Sequence, residues 1–230
     1  MSRSFVGWFE LLTSSLYTAD NTAANTAANT AANTAANTAA NPPPTRMKWF
    51  RNSPAPEPDQ RVLMVCMGNI CRSPTAEAVL RTKLQRAGLA QRIAVDSAGT
   101  HGYHTGEGPD PRAIRVAAER GYDLSRLRAR PVQATDYERF DWILAMDEAN
   151  LTWLRGKAPA ARQPRLGLLM SHADPSALPG AGREVPDPYF GPVAGFAHVL
   201  DLVEAACDGL VERLANPWAP PSSTSELTDK

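Results

Sequence analysis

A run of four apolar residues, Val62-Leu63-Met64-Val65, ends in a loop containing a cysteine, a Gly-Asn pair and an Arg-Ser-Pro triplet, and then gives way to a helical pattern. Such a run fits a strand buried on both faces, at the centre of a parallel sheet. The helical pattern places apolar residues at Ala76, Val79, Leu80, Leu84 and Ala87 and stops at Gly88. Ser73 and Pro74 suit a helix start: a capping hydroxyl, then a residue with no amide hydrogen to leave unpaired. Strand, loop and helix therefore follow one another over Arg61 to Gly88.

The rest of the chain alternates in the same way. Ile93-Ala94-Val95 reads as a second strand, and Asp110-Pro111 opens a helix running to about Gly121. Trp142 to Met146 is a third strand, followed by a helix over about Glu148 to Arg155, and Leu166 to Met170 is a short fourth strand. Pro192 opens a last helix whose Val193, Phe196, Leu200, Val203, Cys207, Leu210 and Leu214 step by three or four. This alternation predicts an α/β fold, a parallel sheet with helices on both faces. In such a sheet ligands sit beyond the carboxyl ends of the strands, where the Cys66 loop falls.

Composition narrows the function classes. Of 230 residues, 43% are hydrophobic, enough for a packed core, and Lys+Arg equals Asp+Glu at 24 each. A net charge of zero and the lack of a basic stripe argue against nucleic acid as a partner. No stretch approaches the roughly 20 apolar residues of a membrane span, so no membrane partner is expected. Phe5 to Leu12, interrupted by Gly7 and Glu10, makes a poor signal-peptide core and reads better as a partly apolar tail. Three cysteines, Cys66, Cys71 and Cys207, are too few for a disulfide framework and fit a reducing, cytoplasmic setting.

The ends have their own character. Asn-Thr-Ala-Ala repeats five times from Asn21 to Ala40, followed by Asn41 and Pro42 to Pro44. Thr and Asn are mediocre helix residues and the tract offers no apolar face, so residues 1–57 read as a flexible tether. Translation from Met47 would bypass the repeat altogether. A globular domain is expected over 58–216, with a disordered Pro- and Ser-rich tail over 217–230.

Five residues separate Cys66 from Arg72, and they lie between a buried strand and a helix start. That arrangement would form a nest of backbone N–H groups, reinforced by the positive end of the helix. A tetrahedral dianion such as phosphate fits it, and Arg72 can hold two of its oxygens in a fork. The same field favours a nucleophilic Cys66 thiolate. Gly68 and Asn69 are residue types that tolerate the positive φ of a tight cradle, and Ser73 could donate its hydroxyl to the sulfur. The loop lacks the Gly-Lys-Ser/Thr ending of a nucleotide-binding loop. The competing reading, a buried structural thiol, needs neither an adjacent anion clamp nor a capped helix. Asp187, in Pro186-Asp187-Pro188-Tyr189-Phe190-Gly191, could serve as the acid for a leaving group, although on spacing alone a plain turn aspartate is the simpler reading.

The stretch Val65 to Pro74 resembles the active-site loop of the low-molecular-weight protein tyrosine phosphatases of bacterial type. Further similar segments are Asp96-Ser97-Ala98-Gly99-Thr100, Pro109-Asp110-Pro111-Arg112-Ala113, Phe140-Asp141, Ala145-Met146-Asp147, Asn150-Leu151 and Asp187-Pro188-Tyr189. They fall in order over about residues 60–215. The resemblance implies a three-layer α/β/α fold with a four-stranded parallel sheet and the phosphate-binding loop (Cys66, Met67, Gly68, Asn69, Ile70, Cys71, Arg72, Ser73) after the first strand. It implies hydrolysis of phosphotyrosine without metal or other cofactor, with Cys66 as nucleophile, Arg72 on the phosphate and Asp187 as general acid and base. By position Tyr103 and Tyr189 would wall the substrate cleft. His104, beside Tyr103, would line the entrance, although a lone His in a loop reads more simply as a solvated surface residue. Cys71 matches a second loop cysteine that could protect Cys66 through a reversible disulfide, the alternative being a spectator thiol; Cys207 reads as core. A monomer acting on a phosphotyrosine protein is implied, with a tyrosine autokinase as one partner class.

One departure stands out. Relatives often have His where this chain has Leu127, in Ser125-Arg126-Leu127-Arg128-Ala129-Arg130-Pro131, and its absence is expected to leave Asn69 or Ser73 less restrained. Three rival readings follow: an arsenate reductase, which would need two further relay cysteines where only the core-like Cys207 is available; a phosphoprotein-binding module with vestigial catalysis; and a tethered interaction protein built around the Asn-Thr-Ala-Ala tract.

Overall fold

The computed structural model describes residues 57–216. The expected tether and tail, apart from Glu57, lie outside the described residues. The elements in order are β1 (Gln60–Cys66), α1 (Arg72–Arg86), β2 (Ile93–Gly99), α2 (Pro111–Glu119), α3 (Asp136–Arg139), β3 (Trp142–Ala145) and α4 (Glu148–Lys157). A 3-10 segment (Ala160–Arg165), β4 (Leu166–Leu168), a second 3-10 segment (Leu169–His172) and α5 (Val193–Ala215) follow.

The four strands form one parallel sheet in the order β2-β1-β3-β4, with β1 inside as its apolar run requires. Side chains alternate across β1. Val62, Met64 and Cys66 join a core with α1, α2 and α5, through Val79, Leu80, Val116, Leu200 and Val203. Leu63 and Val65 point the other way, onto Tyr137 of α3 and Leu151 and Leu154 of α4. This is the expected three-layer α/β/α arrangement. The chain turns from β2 on one side of β1 to β3 on the other, so the carboxyl end of β1 lies at the point where the winding reverses.

Element limits differ locally from expectation. Strand β2 runs on from Val95 to Gly99, because Asp96 to Gly99 continue the ladder with Leu63 to Cys66. Strand β4 stops at Leu168, and Leu169 and Met170 turn into a short 3-10 segment. Asp110 caps α2 as expected, its carboxylate accepting the Arg112 N–H with Pro111 in the first turn. Ser73, in contrast, is not the cap of α1. Arg72 is already helical, Cys71 holds the cap position without a side-chain bond, and the Ser73 hydroxyl turns into the site.

Candidate active site

The loop between β1 and α1 is built around the Cys66 sulfur. Its carbonyls face outward: Thr100 N–H donates to the Cys66 oxygen at 2.9 Å, His101 N–H to Met67 at 3.0 Å and Asp110 N–H to Ile70 at 2.8 Å. A planar trans peptide points its N–H opposite to its C=O, so the Met67, Gly68 and Cys71 amides turn inward. The Asn69 N–H reaches the sulfur itself, at 3.3 Å. Asn69 has a φ of 57°, the left-handed region where Asn is tolerated, whereas Gly68 does not need positive φ. Space accounts for Gly68: a Cβ there would lie 3.1 Å from His104 Cδ2. Gly99 is needed for the same kind of reason, since a Cβ would meet the Met67 oxygen at 2.7 Å.

Behind the loop runs a buried polar chain whose direction follows from its donors. Glu77 is 2% exposed and paired with Arg81 at 2.8 Å. Burial raises its carboxyl above the ordinary value, opposed by the Ser97 hydrogen bond and by Arg81. Ser97 gives its hydroxyl hydrogen to Glu77 at 2.5 Å, so its oxygen accepts from Asn69 Nδ2 at 2.9 Å. The other Nδ2 hydrogen goes to Ser73 Oγ, also at 2.9 Å. The Ser73 hydroxyl then has two further neighbours, Cys66 Sγ at 3.0 Å and the Ala98 carbonyl at 3.4 Å, and toward a Cys66 thiolate, which has no hydrogen to give, it is the donor. Asn69 Oδ1 accepts the Arg130 N–H at 2.9 Å. The expectation that Leu127 leaves Asn69 loose is thus corrected: every hydrogen-bonding group of that amide is engaged, by backbone and serine partners.

Arg72 lies beside the sulfur with 2% exposure. One terminal nitrogen donates to Asp147 at 2.5 Å and to the Val185 carbonyl at 3.2 Å; the other donates to Asp187 at 2.7 Å. Burial works against its charge, but Cys66 and the two carboxylates outweigh this and hold it above its ordinary range. Asp187 thus stands at the loop mouth, its other oxygen accepting the Tyr189 N–H at 3.1 Å. Cys71 is buried, and desolvation with the nearby Asp110 pushes its thiol up to about 12.

A cavity of about 200 Å³ opens over the loop. Cys66, Met67, Gly68, Ile70, Cys71 and Arg72 line its floor, with Tyr103, His104, Asp187, Tyr189 and Phe190 around it. Ser73 and Asn69 lie beneath the floor, fully enclosed. Tyr103 is 74% exposed and stacks on His101 at 5.2 Å, while Tyr189 meets Phe190 edge-on at 4.9 Å and His104 at 6.4 Å. All expected site residues therefore converge on one place, and His104 joins them. Cys207 is fully buried in the core.

Residues 61–218 match the model of the low molecular weight phosphotyrosine protein phosphatase family. The chain belongs to that family. The low molecular weight protein-tyrosine-phosphatase of Streptomyces coelicolor is 46% identical over 151 residues, 66% of this chain and 91% of the relative. The human low molecular weight phosphotyrosine protein phosphatase is 35% identical over 161 residues, 69% of this chain and 98% of the relative. A crystal structure of a protein tyrosine phosphatase from Entamoeba histolytica, with Hepes in its active site, is similar at a TM-score of 0.65 and 37% identity. That alignment covers 69% of this chain and 98% of that one.

Within this phosphatase-family site several residues had no role assigned from the sequence, although Asp147 and Ser97 fall in segments similar to the family. Asp147 follows β3 and caps α4, accepting the Asn150 N–H at 2.6 Å while it holds Arg72. The available signal was an acidic residue at the carboxyl end of a strand neighbouring β1. Ser97, Glu77 and the Arg130 amide act through bonds between distant parts of the chain, and nothing local to them shows that role.

Proposed function

We propose that the chain hydrolyses phosphotyrosine in protein substrates through a phosphocysteine on Cys66. The observation that carries this reading is the sulfur's seat: it accepts from Asn69 N–H and lies 3.0 Å from Ser73 Oγ, with inward amides and Arg72 alongside. A phosphate dianion entering the cradle competes with both carboxylates for Arg72. Asp187, with a side chain 45% exposed against 20% for Asp147, is the one free to turn toward the substrate. The thiolate then attacks phosphorus, the P–O bond to the phenol breaks, and Asp187 gives its proton to the departing oxygen. Asp187 next takes a proton from water, which attacks the phosphocysteine; the P–S bond breaks and inorganic phosphate leaves. Ser73, 3.0 Å from the sulfur, donates to the departing thiolate and stabilises it, and inward amides and Arg72 hold the equatorial oxygens.

Tyr103 and Tyr189 are read as the walls that face a phosphotyrosine ring, and the catalytic unit as residues 58–216. Cytoplasmic location, a monomeric state and a tyrosine autokinase among the partners complete the proposal. Cys71 is assigned as the thiol that would trap an oxidised Cys66. Its burial keeps it protonated, which makes it a slow partner. The binding-module reading loses the support it drew from Leu127, because Asn69 is fully held.

Hydrolysis of an aryl phosphate by the wild type, Cys66→Ser and Asp187→Asn, with reductant and without metal, tests the proposal. Turnover by the wild type, silence in Cys66→Ser and a loss on the order of a hundredfold or more in Asp187→Asn are expected. A silent wild type that phosphate still protects against unfolding would turn the site into a binding module.

A further inference from the structure

The acid loop is held at two points, and the second is unrelated to phosphate binding. Asp110 and Arg112, at the start of α2, form a compact ion pair: Asp110 accepts from Arg112 Nε at 3.0 Å and from a terminal nitrogen at 2.7 Å. The Asp110 backbone N–H donates to the Ile70 carbonyl of the phosphate loop at 2.8 Å. Arg112 in turn donates to the Tyr189 carbonyl at 3.0 Å and to the Gly191 carbonyl at 3.1 Å. Its side chain is 34% exposed, but the guanidinium lies 4.5 Å over the ring of Phe196, buried in α5, a contact that favours this placement. Four of its five N–H donors are spent on these acceptors and the Asp110 carboxylate together.

The acceptors follow the acid by two and four residues. Gly191 N–H also donates to the Pro188 carbonyl at 2.9 Å, closing a turn directly after Asp187. The Arg72 contact to Asp187 must be given up when phosphate enters, but the Arg112 contacts need not be. We propose that Arg112, oriented by Asp110, is a positioning residue that registers the acid loop against the phosphate loop and keeps Asp187 within reach of the leaving oxygen after Arg72 has turned to the substrate. This rests on the reading of Asp187 as general acid. The Arg112 bonds hold the Asp110 carboxyl below the usual carboxylate range against the opposing effect of burial, so the pair stays charged at neutral pH.

The test uses a property specific to the acid. Protonation matters most when the departing phenol is a poor leaving group, and kcat/KM reports the step in which the ester is cleaved. Full-length wild type, Arg112→Gln, Arg112→Lys, Asp110→Asn, Asp187→Asn and the Asp187→Asn/Arg112→Gln double variant are assayed on aryl phosphates spanning a range of phenol acidity. The readout is the ratio of kcat/KM between the best and the poorest leaving group, which does not depend on the folded fraction of a preparation. Arg112→Gln should raise that ratio on the order of tenfold, a partial loss of the acid's contribution. Arg112→Lys should not restore it, since Lys lacks the fork. In the Asp187→Asn background, Arg112→Gln should change the ratio by less than about twofold, because the two act as one unit. An unchanged ratio in Arg112→Gln and Asp110→Asn, with Asp187→Asn raising it, would overturn the brace and leave the acid in place. An unchanged ratio in Asp187→Asn itself would remove the acid role and the brace with it.

Discussion

The two loops that make this site are built in opposite ways. The Cys66–Ser73 loop is buried apart from Met67 and Gly68, and its backbone carbonyls and the Asn69 amide bond into the surrounding fold. The Pro186–Gly191 loop lies at the surface, with Phe190 at 98% exposure, and is held through arginines reaching it from elsewhere. A nucleophile needs a fixed field around one atom, and many short bonds to rigid elements provide it. An acid that must first release a cation and then protonate a leaving group needs room to turn, and a few anchors at the loop's ends allow that.

The largest break of the comparison should come from Asn69→Ala. It leaves Ser97, Ser73 and the Arg130 N–H short of partners in a buried place, at ~1–3 kcal/mol for each unsatisfied group, partly offset by relaxation. Denaturant unfolding should show a loss of about 3 kcal/mol, and kcat/KM should fall equally for good and poor leaving groups, since the sulfur's seat and not the acid is disturbed. An effect confined to poor leaving groups would mean the loops are not independent.

Acid stability separates the fold from both loops. His172, away from either loop and packed edge-on against Trp142, is depressed from 6.5 to about 4 by burial and by Arg213. A folded-state value below the unfolded one means that the folded chain binds fewer protons in between. The contribution is therefore full above pH 6.5 and is lost as pH falls toward 4, at most about 3 kcal/mol. Denaturant midpoints across that window should fall for the wild type and flatten for His172→Gln, whereas the acid limb of kcat/KM should be the same in both.

The smallest effect is expected from Phe190→Ala. A ring exposed to this degree contributes less than about 0.5 kcal/mol to folding, so the melting temperature should hold. Removing this rim should act only on KM for protein substrates, by a few-fold, as a rim contact does. A change in aryl phosphate turnover would show that the acid loop leans on this ring.

The same contrast explains what could be read from the sequence. The strand, the Cys66 loop and the helix were legible because their signals are local: an apolar run, a Gly-Asn pair, a proline and a three-four repeat. Asp110-Pro111 was legible as a cap for the same reason. Ser73 was read as a cap because the position suits one, but its hydroxyl bonds to groups that the fold brings in, Asn69 and Cys66. Leu127 misled in the same direction, since the support of Asn69 comes from Ser97 and from a backbone N–H at Arg130, and any residue type carries a backbone N–H. Arg112 showed no function in the sequence because its partners, Tyr189 and Gly191, accept through carbonyls about eighty residues away.

The central claim is a covalent phosphoryl group on Cys66. Acid-quenching the enzyme during turnover of a phosphotyrosine peptide and mapping the adduct by peptide mass tests it most directly. The account predicts one phosphoryl group on the peptide carrying Cys66, lost in Cys66→Ser. Active wild type with no adduct at any quench time, or with the phosphoryl group on another residue, would contradict it.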